Sequence, residues 1–114
     1  MSMQKPIKYK VLLSKDALKD IKETKDYILT TFKYREYAEN FSEKIKKAIK
    51  ELIIFPTGYE STGCVIEGLE IFFKPYNTYL IFFVIEGYTV TVIRVLKDRM
   101  YWQSIIRKMI KINR

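Results

Sequence analysis

The apolar positions in the first half of the chain predict one strand followed by two amphipathic helices. Residues 7–13 (IKYKVLL) alternate as a strand does. Ser14 then suits a helix N-cap, with Asp16 in the first turn, where the helix dipole favours an anion. This helix is expected to end around residues 30–33. Its predicted apolar face, flanked by Ala17, consists of Leu18, Ile21, Ile28 and Phe32.

A second helix is predicted to begin near residues 34–36 and to stop before Pro56 and Gly58, which do not continue a helix. Its apolar residues recur at three- and four-residue steps. They are Ala38, Phe41, Ile45, Ala48, Ile49 and Leu52. Two amphipathic helices joined by a short link are expected to form an antiparallel hairpin that buries both stripes on a sheet.

The spacing of apolar residues changes in the second half of the chain. There, residues 69–74, 79–85 and 89–96 are rich in aromatic and β-branched side chains. Turn residues separate these segments, which predicts a three-stranded antiparallel meander. Residues 79–85 (YLIFFVI) are apolar on both faces and are therefore placed centrally. A short basic helix over about residues 100–112 is expected to follow.

The predicted fold class is α+β, with the order β-α-α-β-β-β plus a short C-terminal helix. A small twisted antiparallel sheet carries the helix hairpin on one face. The apolar side of the terminal helix is expected to cap the core, and the alternative is that it forms part of a binding surface. A length of 114 residues suits a single domain over residues 1–114, with its core at about 7–105.

The composition and the motifs of the sequence argue against several classes of protein. No apolar run reaches the roughly 18 residues of a membrane span, and the N-terminus (MSMQKPIKYK) lacks the apolar core of a signal peptide, so a cytoplasmic protein is expected. Cys64 is the single cysteine, which excludes a disulfide framework and a cysteine metal site. No cofactor is expected, because phosphate-binding glycine loops and metalloprotease motifs are absent from the sequence.

The charge is positive and unevenly distributed. The net charge is +8, and residues 97–114 hold six cations against one anion. This balance indicates an anionic partner, either a nucleic acid or an acidic protein, and the alternative is that most of the charge only keeps lysine-rich helices soluble. The chain has no histidine, so any catalysis would have to use lysine, arginine, tyrosine or carboxylate side chains.

The candidate site lies around the last predicted strand. Lys97 and Arg99 follow that strand, at a position where a sheet edge can present charge to a ligand. Arg94 lies within an otherwise apolar segment and needs a partner or an exposed face. Lys74 ends the first strand of the meander. This places it either at the same end of the sheet as Lys97 or at the opposite end. Alternation places Ile93, Val95 and Lys97 on one face of the last strand and Arg94 and Leu96 on the other.

The order of these elements resembles that of the RelE/ParE superfamily of toxins from bacterial type II toxin–antitoxin modules. The resemblance covers about residues 7–105, and its motifs are fairly specific only in combination. The supporting residues include Phe55–Pro56, Gly68–Leu69, YLIFF at 79–83 and IRVLKDRMYW at 93–102.

Members of this superfamily have one of two activities. RelE-type toxins cleave mRNA in the ribosomal decoding site, whereas ParE-type toxins inhibit DNA gyrase. The arginine common in the RelE-like YLIFF strand is Tyr79 here, and the position often filled by histidine is Lys97, followed by acidic Asp98. The resemblance is therefore closer to the ParE branch and implies growth arrest by gyrase inhibition. A ribosome-dependent endonuclease and a degenerate, non-toxic antitoxin-binding protein stay open as alternatives.

Residue roles follow from this resemblance. Contacts with the target are expected from Lys74, Tyr79, Lys97, Arg99 and Trp102. In a nuclease, Lys97, Arg99, Arg94 and Tyr101 would share the acid–base and phosphate-binding roles. The resemblance also implies a cognate antitoxin whose extended, largely helical tail fills grooves beside the helix hairpin, and a toxin–antitoxin hetero-oligomer.

Overall fold

The computed structural model describes residues 7–98 and 100–112. Within them the elements confirm the predicted α+β class and add one strand to it. In chain order they are β1 (Lys10–Leu13), α1 (Lys15–Phe32), α2 (Arg35–Lys50), a single 3-10 turn (Glu51–Ile53), β2 (Glu60–Ile66), β3 (Leu69–Tyr76), β4 (Tyr79–Glu86), β5 (Thr89–Lys97) and α3 (Trp102–Ile112).

The strands form one mixed sheet in the order β1-β5-β4-β3-β2. β1 runs parallel to β5, from Lys10 opposite Thr89 to Leu13 opposite Val92. The other three pairs are antiparallel, so the prediction of a wholly antiparallel sheet is wrong at this edge. β4 lies at the centre, as its apolar character on both faces predicts.

The strand β2 was not predicted, because its sequence ESTGCVI lacks a regular apolar alternation. Its pairing with β3 is interrupted between Ser61 and Val65. In that interval the Thr62 hydroxyl donates to the Ile71 carbonyl at 2.8 Å and accepts from the Cys64 backbone N–H at 3.1 Å. Side-chain hydrogen bonds thus replace part of the ladder, and the irregular strand terminates the sheet.

Both faces of the sheet are covered. The α1–α2 hairpin packs on one face, where Ile45, Leu52 and Phe83 are fully buried. The predicted stripe of α2 is confirmed, since all six of its residues are buried, although the last of them, Leu52, lies in the 3-10 turn that follows the helix. On the opposite face α3 packs over Phe82, and its own Ile106 is fully buried. The terminal helix therefore caps a second apolar cluster, which explains why β4 is apolar on both sides.

The prediction of the apolar face of α1 is only partly confirmed. Ile21 is buried with its neighbour Ala17, but Leu18 and Phe32 are each more than half exposed. The buried side of the helix instead includes Asp20, a carboxylate that bonds to β5. Leu18 lies beside this stripe and faces solvent.

The N-cap prediction at Ser14 is confirmed. Its hydroxyl oxygen accepts a hydrogen bond from the Ala17 N–H at 3.0 Å, and its O–H group donates one to the Ile93 carbonyl at 3.0 Å. The same residue's backbone N–H donates to the Val92 carbonyl at 2.9 Å. Ser14 therefore starts α1 and attaches that start to β5.

A β-bulge in β5 overturns the predicted face assignment of its side chains. Phe83 lies opposite Val92 but Phe82 lies opposite Arg94, so one extra residue is inserted in β5. As a result, Val95 packs under the hairpin, while Ile93 packs under α3 together with Leu96. Simple alternation had placed Ile93 and Val95 on the same face.

No helix in the described part of the chain has both the length and the apolar character needed to cross a membrane.

Candidate functional site

Asp20 and Arg94 fasten α1 to the end of β5. The Arg94 guanidinium donates two hydrogen bonds, from Nε to Asp20 Oδ2 and from Nη2 to Oδ1, both at 2.8 Å. Asp20 Oδ2 also accepts the Val95 backbone N–H at 2.9 Å. Since β1 ends opposite Val92, the Asp20 carboxylate occupies the edge of β5 that β1 no longer covers. It satisfies a backbone donor there that a longer strand would have bonded.

The same pair neutralises Arg94. The hydrogen bond from the guanidinium to Asp20 raises the pKa of Arg94, and this effect exceeds the opposing effect of burial. With 22% of its side chain exposed and a bidentate partner, Arg94 is part of the framework of the site. Its predicted role as an independent phosphate-binding cation would require this pair to open.

Lys97 is an exposed cation at the end of β5. It lies opposite Tyr79 in the β4–β5 ladder, and its Nζ is 5.2 Å from the centre of the Tyr27 ring on α1. This distance is typical of a cation–π contact. The contact orients Lys97 across the space between α1 and the sheet.

Two adjoining cavities form a groove between α1 and the ends of β4 and β5, which we call the Lys97 groove. The first cavity has a volume of about 370 Å³ and the second about 580 Å³. Tyr27 and Lys97 line both. The first is lined also by Asp20, Glu23, Thr24, Arg94, Val95, Leu96 and Met100, and the second by Ile28, Phe32, Tyr37 and Tyr79.

Tyr79 is the most buried aromatic side chain of the second cavity. Its ring packs against Phe41, with ring centres 5.0 Å apart. Burial raises the pKa of the Tyr79 phenol, and the nearby Tyr27 phenol raises it further. The hydroxyl group is therefore protonated at neutral pH and is available as a hydrogen-bond donor.

The expected position of Lys74 at a rim is wrong. β3 continues to Tyr76, and Lys74 lies inside the sheet opposite Ile81. Its buried ammonium donates to the Ala48 carbonyl at 2.7 Å and to Glu51 Oε1 at 2.8 Å. Lys74 therefore joins the end of α2 to the sheet and does not line the Lys97 groove.

The ion pair between Lys74 and Glu51 makes stability depend on pH. Lys74 lowers the pKa of the Glu51 carboxyl, first through the hydrogen bond and then through its charge. A carboxyl group with a lowered pKa in the folded state adds stability above its unfolded pKa, and that stability is lost as the pH falls through the folded pKa. Because the Glu51 side chain is 62% exposed, we expect a contribution below about 1 kcal/mol at pH 7.

Glu51→Gln keeps an acceptor for Lys74 but removes the charge, so it should lower the free energy of unfolding at pH 7 by up to about 1 kcal/mol. The difference from the parent should shrink to zero as the pH falls below the lowered pKa. Urea unfolding of both proteins across this range measures it, with Glu39→Gln on the exposed side of α2 as the control. A difference that stayed constant at all pH values would contradict the assignment.

The remaining predicted residues are dispersed. Trp102 packs into the apolar cluster under α3, with its ring centre 5.2 Å from that of Phe82. Tyr101 is 86% exposed and lines neither cavity of the Lys97 groove. Arg99 lies outside the described residues. Of the predicted site residues, the structure brings Lys97, Tyr79 and the neutralised Arg94 to one groove.

The sequence interpretation missed the aromatic residues near the tip of the helix hairpin. Tyr27, Phe32, Tyr34 and Tyr37 are each more than half exposed. The Tyr37 ring contacts Phe32 at 5.9 Å and Tyr34 at 5.6 Å between ring centres. Because monomeric proteins rarely expose large apolar patches, this arrangement indicates an interaction surface. The dense aromatic spacing in YILTTFKYREY (residues 27–37) was the available signal.

The fold and the groove together indicate a class of protein, namely a small α+β domain that binds another macromolecule through an open groove. A small α+β domain presents an open groove with aromatic walls and a lysine between them. Such a groove is suited to receiving part of another macromolecule, because it is open and combines exposed aromatic rings with polar side chains. The described residues lining it include no histidine or cysteine, and its one arginine is already paired.

Comparison with known proteins identifies the family. The sequence model of the family described as "ParE toxin of type II toxin-antitoxin system, parDE" matches residues 11–102. The chain therefore belongs to the ParE toxin family, as the sequence resemblance indicated. None of the curated proteins matches the chain.

The fold is also similar to a solved structure described as the "Chromosomal ParDE TA system from P. aeruginosa". The two chains superpose with a TM-score of 0.64 at 16% sequence identity. The match covers 78% of this chain and 95% of the other. At this level of identity the likeness concerns the fold, and it confirms the predicted RelE/ParE-like architecture.

Proposed function

We propose that the protein is a toxin that arrests bacterial growth by inhibiting DNA gyrase and is neutralised in the cytoplasm by a cognate antitoxin. The single observation that supports this most strongly is the ParE family match over residues 11–102. The Lys97 groove supports it further, because it offers a macromolecular partner an exposed surface that combines aromatic rings with a cation.

The positions of the candidate nuclease residues favour gyrase inhibition over mRNA cleavage. Cleavage by 2′-hydroxyl attack needs a base, an acid and phosphate-binding cations within hydrogen-bond reach of one phosphate. Arg94 is held by Asp20, and Tyr101 lies outside the groove that contains Lys97. Among the described residues, the groups that would share this chemistry are therefore separated or already engaged.

An acidic antitoxin is the expected partner of this basic chain. A net charge of +8 attracts a polypeptide of opposite charge and accelerates its association. The Lys97 groove has aromatic walls for the apolar side chains of such a polypeptide. We place the neutralising contact there, and the resulting assembly is a toxin–antitoxin hetero-oligomer.

Growth and supercoiling assays test the proposal. Expression without the antitoxin should stop growth, and co-expression with the antitoxin should restore it. The purified protein should prevent gyrase from supercoiling a relaxed plasmid. Normal growth on expression alone would instead support the non-toxic alternative. Growth arrest with fully active gyrase and cut transcripts would support the ribosome-dependent nuclease.

A further inference from the structure

The second cavity of the Lys97 groove gathers hydrogen-bond donors. Its described lining residues include three tyrosines, at positions 27, 37 and 79, and one lysine, Lys97. None of these lining residues is acidic. The cavity therefore combines a positive charge and neutral phenol groups with no carboxylate on its described walls, which favours a ligand that carries negative charge.

The geometry of the donors is fixed from several sides. Tyr79 and Lys97 face each other across the β4–β5 ladder, and Lys97 Nζ lies over the Tyr27 ring at 5.2 Å. Phe41 packs against the Tyr79 ring from the side of α2. Burial, and to a lesser extent the nearby Tyr27 phenol, raise the pKa of the Tyr79 phenol. Little reorganisation is needed before an anion is bound, because these contacts already orient the donors.

The rest of the lining is apolar. Ile28 and Phe32 complete the wall formed by α1, and Tyr37 contacts Phe32 from α2. A volume of about 580 Å³ falls in the range of pockets that enclose a drug-sized ligand, and exceeds what one carboxylate needs. The matching ligand thus has an anionic head beside an apolar body.

A protein carboxylate fits this cavity better than a nucleic acid does. Nucleic-acid sites gain affinity by neutralising several phosphates with several cations. The described lining of this cavity holds one ammonium group, and its remaining donors are uncharged. A single carboxylate beside apolar side chains matches one lysine and an aromatic wall.

We propose that the second cavity binds an acidic side chain of the antitoxin together with its apolar neighbours. Lys97 pairs with the carboxylate, the Tyr27 and Tyr79 phenols donate to it, and Phe32 and Tyr37 cover the apolar neighbours. Neutralisation then follows from covering Lys97. This inference rests on the proposed function, because it takes the antitoxin as the occupant.

A small acid tests the chemistry of the pocket. The probe is 3-phenylpropionate, compared with the neutral 3-phenylpropanamide, in NMR titrations of the full chain. A charge-assisted hydrogen bond predicts that the acid binds about tenfold more tightly than the amide. Lys97→Met should abolish this preference, Lys97→Arg should retain it, and the control Lys46→Met on the outside of α2 should leave it unchanged.

The purified toxin–antitoxin complex tests the occupant. The antitoxin should prevent 3-phenylpropionate from binding, and unchanged binding of the probe to the complex would overturn the proposal. Equal affinities of the free chain for acid and amide, or a preference that survives Lys97→Met, would overturn it as well. Lys97-dependent binding of a short oligonucleotide in preference to the acid would assign the pocket to nucleic acid and reject the antitoxin as its occupant.

The two proposals can fail separately. If the parent chain arrests growth and inhibits gyrase while the probe tests fail, the pocket assignment is wrong and the proposed function stands. If the probe binds as expected and the chain leaves growth and gyrase unaffected, toxicity is rejected while the chemistry of the pocket is retained.

Discussion

Lys97→Glu is expected to abolish growth arrest and to leave the fold intact. Lys97 lines both cavities of the groove and has its side chain in solvent. Reversing its charge replaces an attractive contact with a repulsive one wherever a partner presents negative charge. Once a partner covers Lys97, removing one member of the resulting buried, hydrogen-bonded charge pair costs on the order of 2–5 kcal/mol, which corresponds to roughly 30-fold or more in affinity.

The stability of the variant should be almost unchanged. The interaction that Lys97 makes with Tyr27 is an exposed cation–π contact, worth about 0.5–1 kcal/mol. Thermal unfolding, measured beside the growth assay, therefore separates loss of function from loss of structure. Gyrase supercoiling inhibition, titrated with parent and variant protein, gives the size of the functional effect.

Lys46→Glu makes the same charge change on the exposed side of α2 and is the matched control. It should retain growth arrest, since Lys46 lines neither cavity of the groove. If both variants lost toxicity to the same extent, net charge would explain the result and the groove would not. If Lys97→Glu stayed as toxic as the parent, Lys97 would not contact the target.

Asp20→Ala is expected to cause the largest loss of stability, about 3 kcal/mol in the free energy of unfolding. It removes three hydrogen bonds at once, two from Arg94 and one from the Val95 N–H. Breaking a buried ion pair by removing one partner costs about 3–5 kcal/mol, and we take the lower end because 22% of the Arg94 side chain is exposed. The loss should lower the melting temperature by about 10 °C or more.

Urea denaturation of the parent and variant measures this effect. Asp26→Ala, an exposed aspartate on the same helix, is the control and should change stability by less than about 0.5 kcal/mol. Adding Arg94→Met to Asp20→Ala should recover part of the loss, because it removes the uncompensated charge. A loss below about 1 kcal/mol for Asp20→Ala alone would mean that Asp20 does not fasten α1 to β5.

The parts of the fold that follow from local periodicity were predictable. The stripe of α2, the cap at Ser14 and the central place of β4 each depend on residues close together in the sequence. The bulge in β5 was not predictable, because the sequence across it looks like that of a regular strand. β2 was not predictable for a different reason: its sequence lacks a regular apolar alternation, and its pairing with β3 is interrupted where the Thr62 side chain supplies hydrogen bonds instead.

The cation of the candidate site could be predicted from the sequence, whereas the residues around it were harder to predict. Lys97 stands out because it follows an apolar strand. The partner of Arg94 is 74 residues away along the chain, and nothing near Arg94 in sequence points to Asp20. Lys74 was misplaced, because a lysine in a strand suggests an exposed position unless its partners in the α2 region are known. Tyr27 was not predicted as a site residue, because an exposed tyrosine on a helix indicates a site only once the fold is known to place Lys97 next to it.

The most direct test of the central claim uses plasmid DNA from cells in which the protein is briefly induced. Cells are lysed with detergent, so that any gyrase trapped in its cleavage complex leaves the plasmid cut in both strands. We predict that linear plasmid accumulates with the parent chain and not with Lys97→Glu. Growth arrest with intact, normally supercoiled plasmid would contradict gyrase inhibition by trapping and would redirect the search to the ribosome.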